Sequence, residues 1–161
     1  VIQMKVSIHY LRSPRGMRRE QKKIVKEEMS ALGAFWHREY LPLHFTAAAY
    51  TLYGAQQRSR AWNARKGHNL PMVGIRRGLE RKATGRAEIR TTGRNTRVRM
   101  RNLRAINFSR ANRARGIAYP DFDAELRAVA PAEPGRWARR IHDRTTERMN
   151  AVRTPETVSS H

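Results

Sequence analysis

Two carboxylates, Asp121 and Asp123, sit two positions apart in Tyr-Pro-Asp-Phe-Asp and could serve as a general acid/base pair. Their place at the lead-in to an alternating segment reads more simply as two solvated aspartates. His142 and Asp143 are neighbours in sequence. On a helix, adjacent residues point in different directions, so they do not form a dyad. His37 and His44 straddle Pro42, but no third ligand follows at a metal-binding spacing, which makes them core or interface histidines. Lys66-Gly67 lacks the rest of a phosphate loop. The chain has no cysteine, so disulfides and thiolate metal sites are excluded. Nothing pairs a nucleophile with a base. The expectation is a protein that is not an enzyme and uses no cofactor.

Charge carries the stronger signal. Lys+Arg 34 against Asp+Glu 13 leaves +21 over 161 residues. Such an excess repels itself unless a polyanion or an acidic partner neutralises it. Arginine outnumbers lysine, and its planar fork suits phosphate and carboxylate equally. From Gly54 to Arg104 there are fifteen Lys/Arg and two acids, Glu80 and Glu88, so 15 − 2 = +13. A merely solvated surface mixes its signs. The candidate contacts are Arg58, Arg60, Arg65 and Lys66 in one segment, and Arg86, Arg90, Arg97, Arg99 and Arg101 in another. Trp62 is the one good candidate for base stacking in these segments, so any nucleic-acid contact should rest on backbone charge.

The elements that must hold these residues are organised around Phe35–Gly54, which carries six of the twelve aromatic side chains. Aromatic burial removes the most apolar area per residue, so the core condenses there. Residues 2–10 alternate as a half-buried strand. Ser13-Pro14 opens a helix that runs to about Leu41, where Pro42 stops it. Its buried line is Val25, Met29, Leu32, Trp36 and Tyr40. Thr46 caps a short second helix, Ala47–Tyr53, closed by Gly54. Gln56–Asn69 has no period and reads as a mobile loop; Leu70–Ile75 reads as a strand or a strand-like entry to a helical turn around Arg76–Lys82.

Arg86–Thr92 and Thr96–Leu103 flank Gly93-Arg94-Asn95 and predict a hairpin. Ala87, Ile89, Thr91, Val98 and Met100 form its apolar face, with Arg86, Glu88, Arg90, Arg97, Arg99 and Arg101 on the other. Arg104–Tyr119 reads as a basic loop and Phe122–Ala128 as a final strand. A helix over Gly135–Val152 buries Trp137 and Ile141. Together these give an α+β fold: an antiparallel sheet packed by one long N-terminal helix, a short second helix and a C-terminal helix. One domain spans 1–153, with a disordered tail over 154–161. Its core is expected to centre on Trp36, Tyr40, Phe45, Tyr50 and Trp137. No apolar run approaches the roughly 18 residues of a membrane span, and no signal peptide is visible.

With those segments placed, the chain resembles the small neck proteins of tailed bacteriophages, the head-to-tail connector or tail-completion class. The likeness runs through Trp36…Tyr40-Leu41-Pro42-Leu43-His44-Phe45-Thr46, Ala48…Tyr53-Gly54 and Lys66-Gly67. It continues over Leu70-Pro71-Met72-Val73, Gly74-Ile75-Arg76-Arg77-Gly78-Leu79 and Val98-Arg99-Met100-Arg101, covering roughly residues 24–130. Val73-Gly74 stands where such proteins often have Thr-Gly.

The resemblance implies a structural virion protein, assembled in the host cytoplasm, that forms a six- or twelve-fold homo-oligomeric ring between portal or adaptor and tail proteins. Double-stranded DNA would pass through its lumen, and no membrane is involved. Trp62, Arg18 and Lys22 are the candidate ring-interface residues. A basic RNA-binding protein of a ribonucleoprotein particle fits the charge equally well. The aromatic-rich stretch fits that alternative less.

Overall fold

The computed structural model describes residues 2–5, 15–71, 78–92, 95–100 and 103–153. The fold is α+β. Strands β1 (Ile2–Lys5), β2 (Ala87–Thr92) and β3 (Asn95–Met100) form an antiparallel sheet in the order β1-β3-β2. β1 covers Ile2–Lys5; residues 6–10 of the expected strand, and Ser13-Pro14, lie outside the described part. Helix α1 (Arg15–Glu39) lies across β2 and β3, and the C-terminal helix α7 (Glu133–Arg153) packs against α1.

The helical period predicted for α1 is met at each step. Val25, Met29, Leu32, Trp36 and Tyr40 are all buried. After Glu39 the chain tightens into a 3-10 turn, Leu41–Phe45, with Pro42 in its first positions, where a missing N–H costs nothing. That turn buries Leu41, His44 and Phe45; Leu41 and Phe45 join Trp36, Val98, Ile106, Phe122, Leu126 and Ile141 in one core, and His44 meets Trp36 edge to face. Trp137 is half-buried and meets Tyr40 edge to face, with centroids 6.2 Å apart. Tyr50 is also half-buried, but it belongs to a separate small cluster around Ala49, Tyr53, Ala55 and Ala130.

Several expected elements are corrected. The second helix, α2, covers only Ala49–Leu52, because the Thr46 hydroxyl donates back to the Leu43 carbonyl (2.8 Å) rather than capping it. Gln56–Asn69 contains helix α3 (Arg60–Lys66), with the Ser59 hydroxyl accepting from the Trp62 amide and Gly67 closing it at φ 73°. The helical turn expected near Arg76–Lys82 is α4 (Gly78–Thr84); residues 72–75 of the expected strand and 76–77 of the expected turn lie outside the described part.

The expected loop after β3 contains α5 (Arg104–Ala114). The expected last strand is α6 (Phe122–Arg127), started by the Asp121 carboxylate, which accepts from the Ala124 amide at 3.0 Å. Alternation of Phe122, Ala124, Leu126 and Ala128 was outweighed there by this cap and by burial of Phe122 and Leu126, one helical turn apart. The tail beyond Arg153 lies outside the described residues.

Candidate polyanion interface

The hairpin is pinned face-down on α1. The Thr96 hydroxyl donates to the Met29 carbonyl at 2.8 Å and lies 3.0 Å from the Thr91 hydroxyl. Gly33 permits this close approach, since a Cβ there would stand 2.7 Å from Thr96 Cγ2 and 3.0 Å from Ile89 Cγ2. Thr96 and Val98 are consequently buried. Strand alternation turns the intervening residues outward, and Arg90, Arg97 and Arg99 are exposed.

Register sets the electrostatics of that outer face. Arg90 stands opposite Arg97, and Glu88 opposite Arg99. Arg90 makes a close ion pair with Glu88 along its own strand. Among the described residues, neither Arg97 nor Arg99 has an ion-pair partner within 4 Å. Like charges directly across a ladder are unfavourable, so the Arg90–Arg97 pair is repulsive, and Glu88 offsets part of it. Arg86, just before β2, is exposed as well, while Arg101 lies outside the described residues.

The second expected set is held by different elements. Arg60 is exposed at the start of α3. Arg65 and Lys66 occupy its last turn, where the helix dipole favours cations, and both lie over the Trp62 ring, at 5.4 and 5.2 Å. Trp62 is half-buried and meets Tyr119 in a T-shaped contact, with centroids 5.8 Å apart. Of the other proposed ring contacts, Lys22 is exposed on α1, and Arg18 falls where α1 side chains are not described.

Arg58 is not a surface contact. Its side chain is 2 % exposed and grips Glu125 with two nitrogens, at 3.0 and 2.5 Å. The Gln56 carbonyl accepts from the same guanidinium at 2.6 Å, and the Phe122 ring lies 5.6 Å from it. Sequence reading missed this because the partner is 67 residues away.

Asp121, Asp123, His37 and His44, raised from sequence, make structural contacts. Asp121 caps α6 and pairs closely with Arg113. Asp123 is buried rather than solvated, held by Arg110 and Arg127 at 2.5 Å each. Burial alone would push its carboxyl pKa up, but the Arg110 hydrogen bond and the two guanidinium charges outweigh that and hold it low. His44 is fully buried, stacked on Tyr53 with centroids 3.8 Å apart. Burial lowers its pKa to about 4, so the ring is neutral and Nδ1 donates to the Glu125 carbonyl at 3.0 Å. Tyr53 in turn donates to Glu133 at 2.6 Å. His37 Nε2 sits 2.9 Å from the Ala83 carbonyl, and His142 and Asp143 are exposed on α7.

Among the described residues no group of three or more His, Asp or Glu could hold a metal ion, and no helix is long and apolar enough to cross a membrane. Comparison with protein-family models, curated proteins and solved structures finds no match.

Proposed function

We propose that this chain is a structural, non-enzymatic ring subunit of a tailed-phage neck, of the head-to-tail connector or tail-completion class. In this reading the outer face of its hairpin lies along the path of the DNA. The observation that carries the proposal is the arginine-rich face of Arg90, Arg97 and Arg99, with Glu88 among them, on a sheet whose other face is fixed to α1. Guanidinium groups at strand spacing meet phosphates without reading bases, which suits a conduit that must pass any sequence. The resemblance over residues 24–130 supplies the neck assignment. Neighbouring subunits of a six- or twelve-fold ring, with portal or adaptor and tail proteins above and below, are the partners it requires, and the virion is its destination.

The competing reading is an RNA-binding protein of a ribonucleoprotein particle. Native mass measurement on nuclease-treated protein separates the two. The neck reading expects a closed ring of six or twelve copies; a monomer that precipitates once its RNA is removed contradicts it.

A further inference from the structure

β2 is an edge strand. Among the described residues only β3 pairs with it, in an unbroken register from Ala87 to Thr92. The side chains it turns toward α1, those of Ala87, Ile89 and Thr91, are half-buried, whereas Thr96 and Val98 beside them on β3 are buried. Open edges are ordinarily blunted by proline, a bulge or lysine, because their free backbone groups invite another strand. β2 has none of these. It is β-branched at Ile89, Thr91 and Thr92, and its two charges are one acid and one base, Glu88 and Arg90.

Those charges flank Ile89 symmetrically. We infer that β2 pairs antiparallel with the β2 of a second copy of this chain, about a two-fold axis at Ile89. Residues that oppose one another across a ladder share a sheet face, so the register can slip only in steps of two. One such step sets Glu88 against Glu88 and Arg90 against Arg86; the opposite step sets Arg90 against Arg90. Centred on Ile89, Glu88 of each copy meets Arg90 of the other, Ile89 meets Ile89, and Ala87 meets Thr91. Arg90 already holds Glu88 along its own strand, so the pair closes a square of alternating charges.

The net charge of +21 opposes self-association, here as in a neck ring. Physiological salt screens it beyond about 8 Å, whereas paired strands stand about 4.8 Å apart, so the local pairs decide the register. A contact confined to one strand is small, and a weak, roughly micromolar dimer is expected. A ring with one rotation axis uses head-to-tail contacts, so the pair is a state of the free subunit that covers this edge. The inference does not rest on the neck reading.

The test is analytical ultracentrifugation of the full, nuclease-treated chain at physiological salt over a dilution series. Below the concentration of any ring closure, the wild type should show a monomer–dimer equilibrium. Arg90→Glu sets like charges across both outer pairs and should weaken the dimer about tenfold or more. Its lower net charge alone would strengthen association, which makes the sign of the change diagnostic. Glu88→Arg/Arg90→Glu keeps the net charge and should restore the dimer. Arg90 is exposed and opposite Arg97, so its reversal should leave the fold intact. If the double exchange melts lower than the wild type, Arg90→Gln replaces it and should fall between the wild type and Arg90→Glu. A wild type that is monomeric throughout, or that passes from ring to monomer with no dimer, overturns the inference. Association that Arg90→Glu leaves unchanged overturns it in favour of another surface, as does a folded double exchange that fails to restore the dimer.

Discussion

Arg58 and Glu125 form a two-pronged ion pair whose side chains are only 2 % and 9 % exposed, joining the segment before α3 to helix α6. Removing the arginine would strand a buried carboxylate beside the Gln56 amide. Arg58→Ala is expected to lose about 3–5 kcal/mol of stability, whereas Arg58→Met/Glu125→Leu should cost much less, since no charge is left unpaired. Chemical denaturation of the two variants checks this, and near-equal losses would show that the pair matters only for packing.

Gly33→Ala provides a second test. In an ordinary helix interior the change would gain about 1 kcal/mol. Here the new Cβ meets Thr96 Cγ2 at 2.7 Å, and Thr96 is held by its hydrogen bond to Met29. Overpacking of about 1–3 kcal/mol should win, so the variant is destabilised. Adding Thr96→Ser removes the methyl but keeps the hydroxyl, and should restore part of the loss in thermal melts. A stabilised Gly33→Ala would mean that the hairpin is not seated this tightly on α1.

His44 sets a pH dependence. Its folded pKa of about 4 lies below the ordinary 6.5 because burial disfavours the charged ring. The unfolded chain therefore takes up the proton first as pH falls, and stability declines between about 6.5 and 4, by roughly 3 kcal/mol at most. Glu133 opposes this. Burial raises its pKa, so its contribution falls as pH rises above the unfolded carboxylate value. Denaturation midpoints at neutral and mildly acidic pH should show a net loss on acidification, and His44→Phe should flatten it. An unchanged slope in His44→Phe would place the titration elsewhere.

The legible parts of this fold are those with a local cause. The α1 stripe repeats at helical spacing, and the hairpin follows from alternation along Ala87–Thr92 and Asn95–Met100, although Asn95, expected in the turn, is the first residue of β3. Helix α3 was also open to reading, through Ser59 as its cap and Gly67 as its stop. Helix α5 was not, because its inward face is Ile106, Ser109 and Asn112, two of them polar. Ser109 is buried because its hydroxyl donates to the Pro120 carbonyl, a contact that exists only once α5 and α6 pack. The same limit governed the site. Alternation showed which hairpin arginines face outward, but Arg58 looked like another surface cation until Glu125 was brought to it.

The role of the outer hairpin face is tested most directly by duplex DNA affinity as a function of salt, for the wild type and for Arg97→Gln/Arg99→Gln. Both residues are exposed and Arg97 faces Arg90, so the variant should melt no lower than the wild type. The wild type should bind different sequences alike and weaken steeply with salt. Loss of two phosphate contacts should make the log–log slope shallower by about 1.8. Identical slopes for the two proteins, or no salt-sensitive DNA binding by the wild type, would contradict a DNA-facing role for this surface.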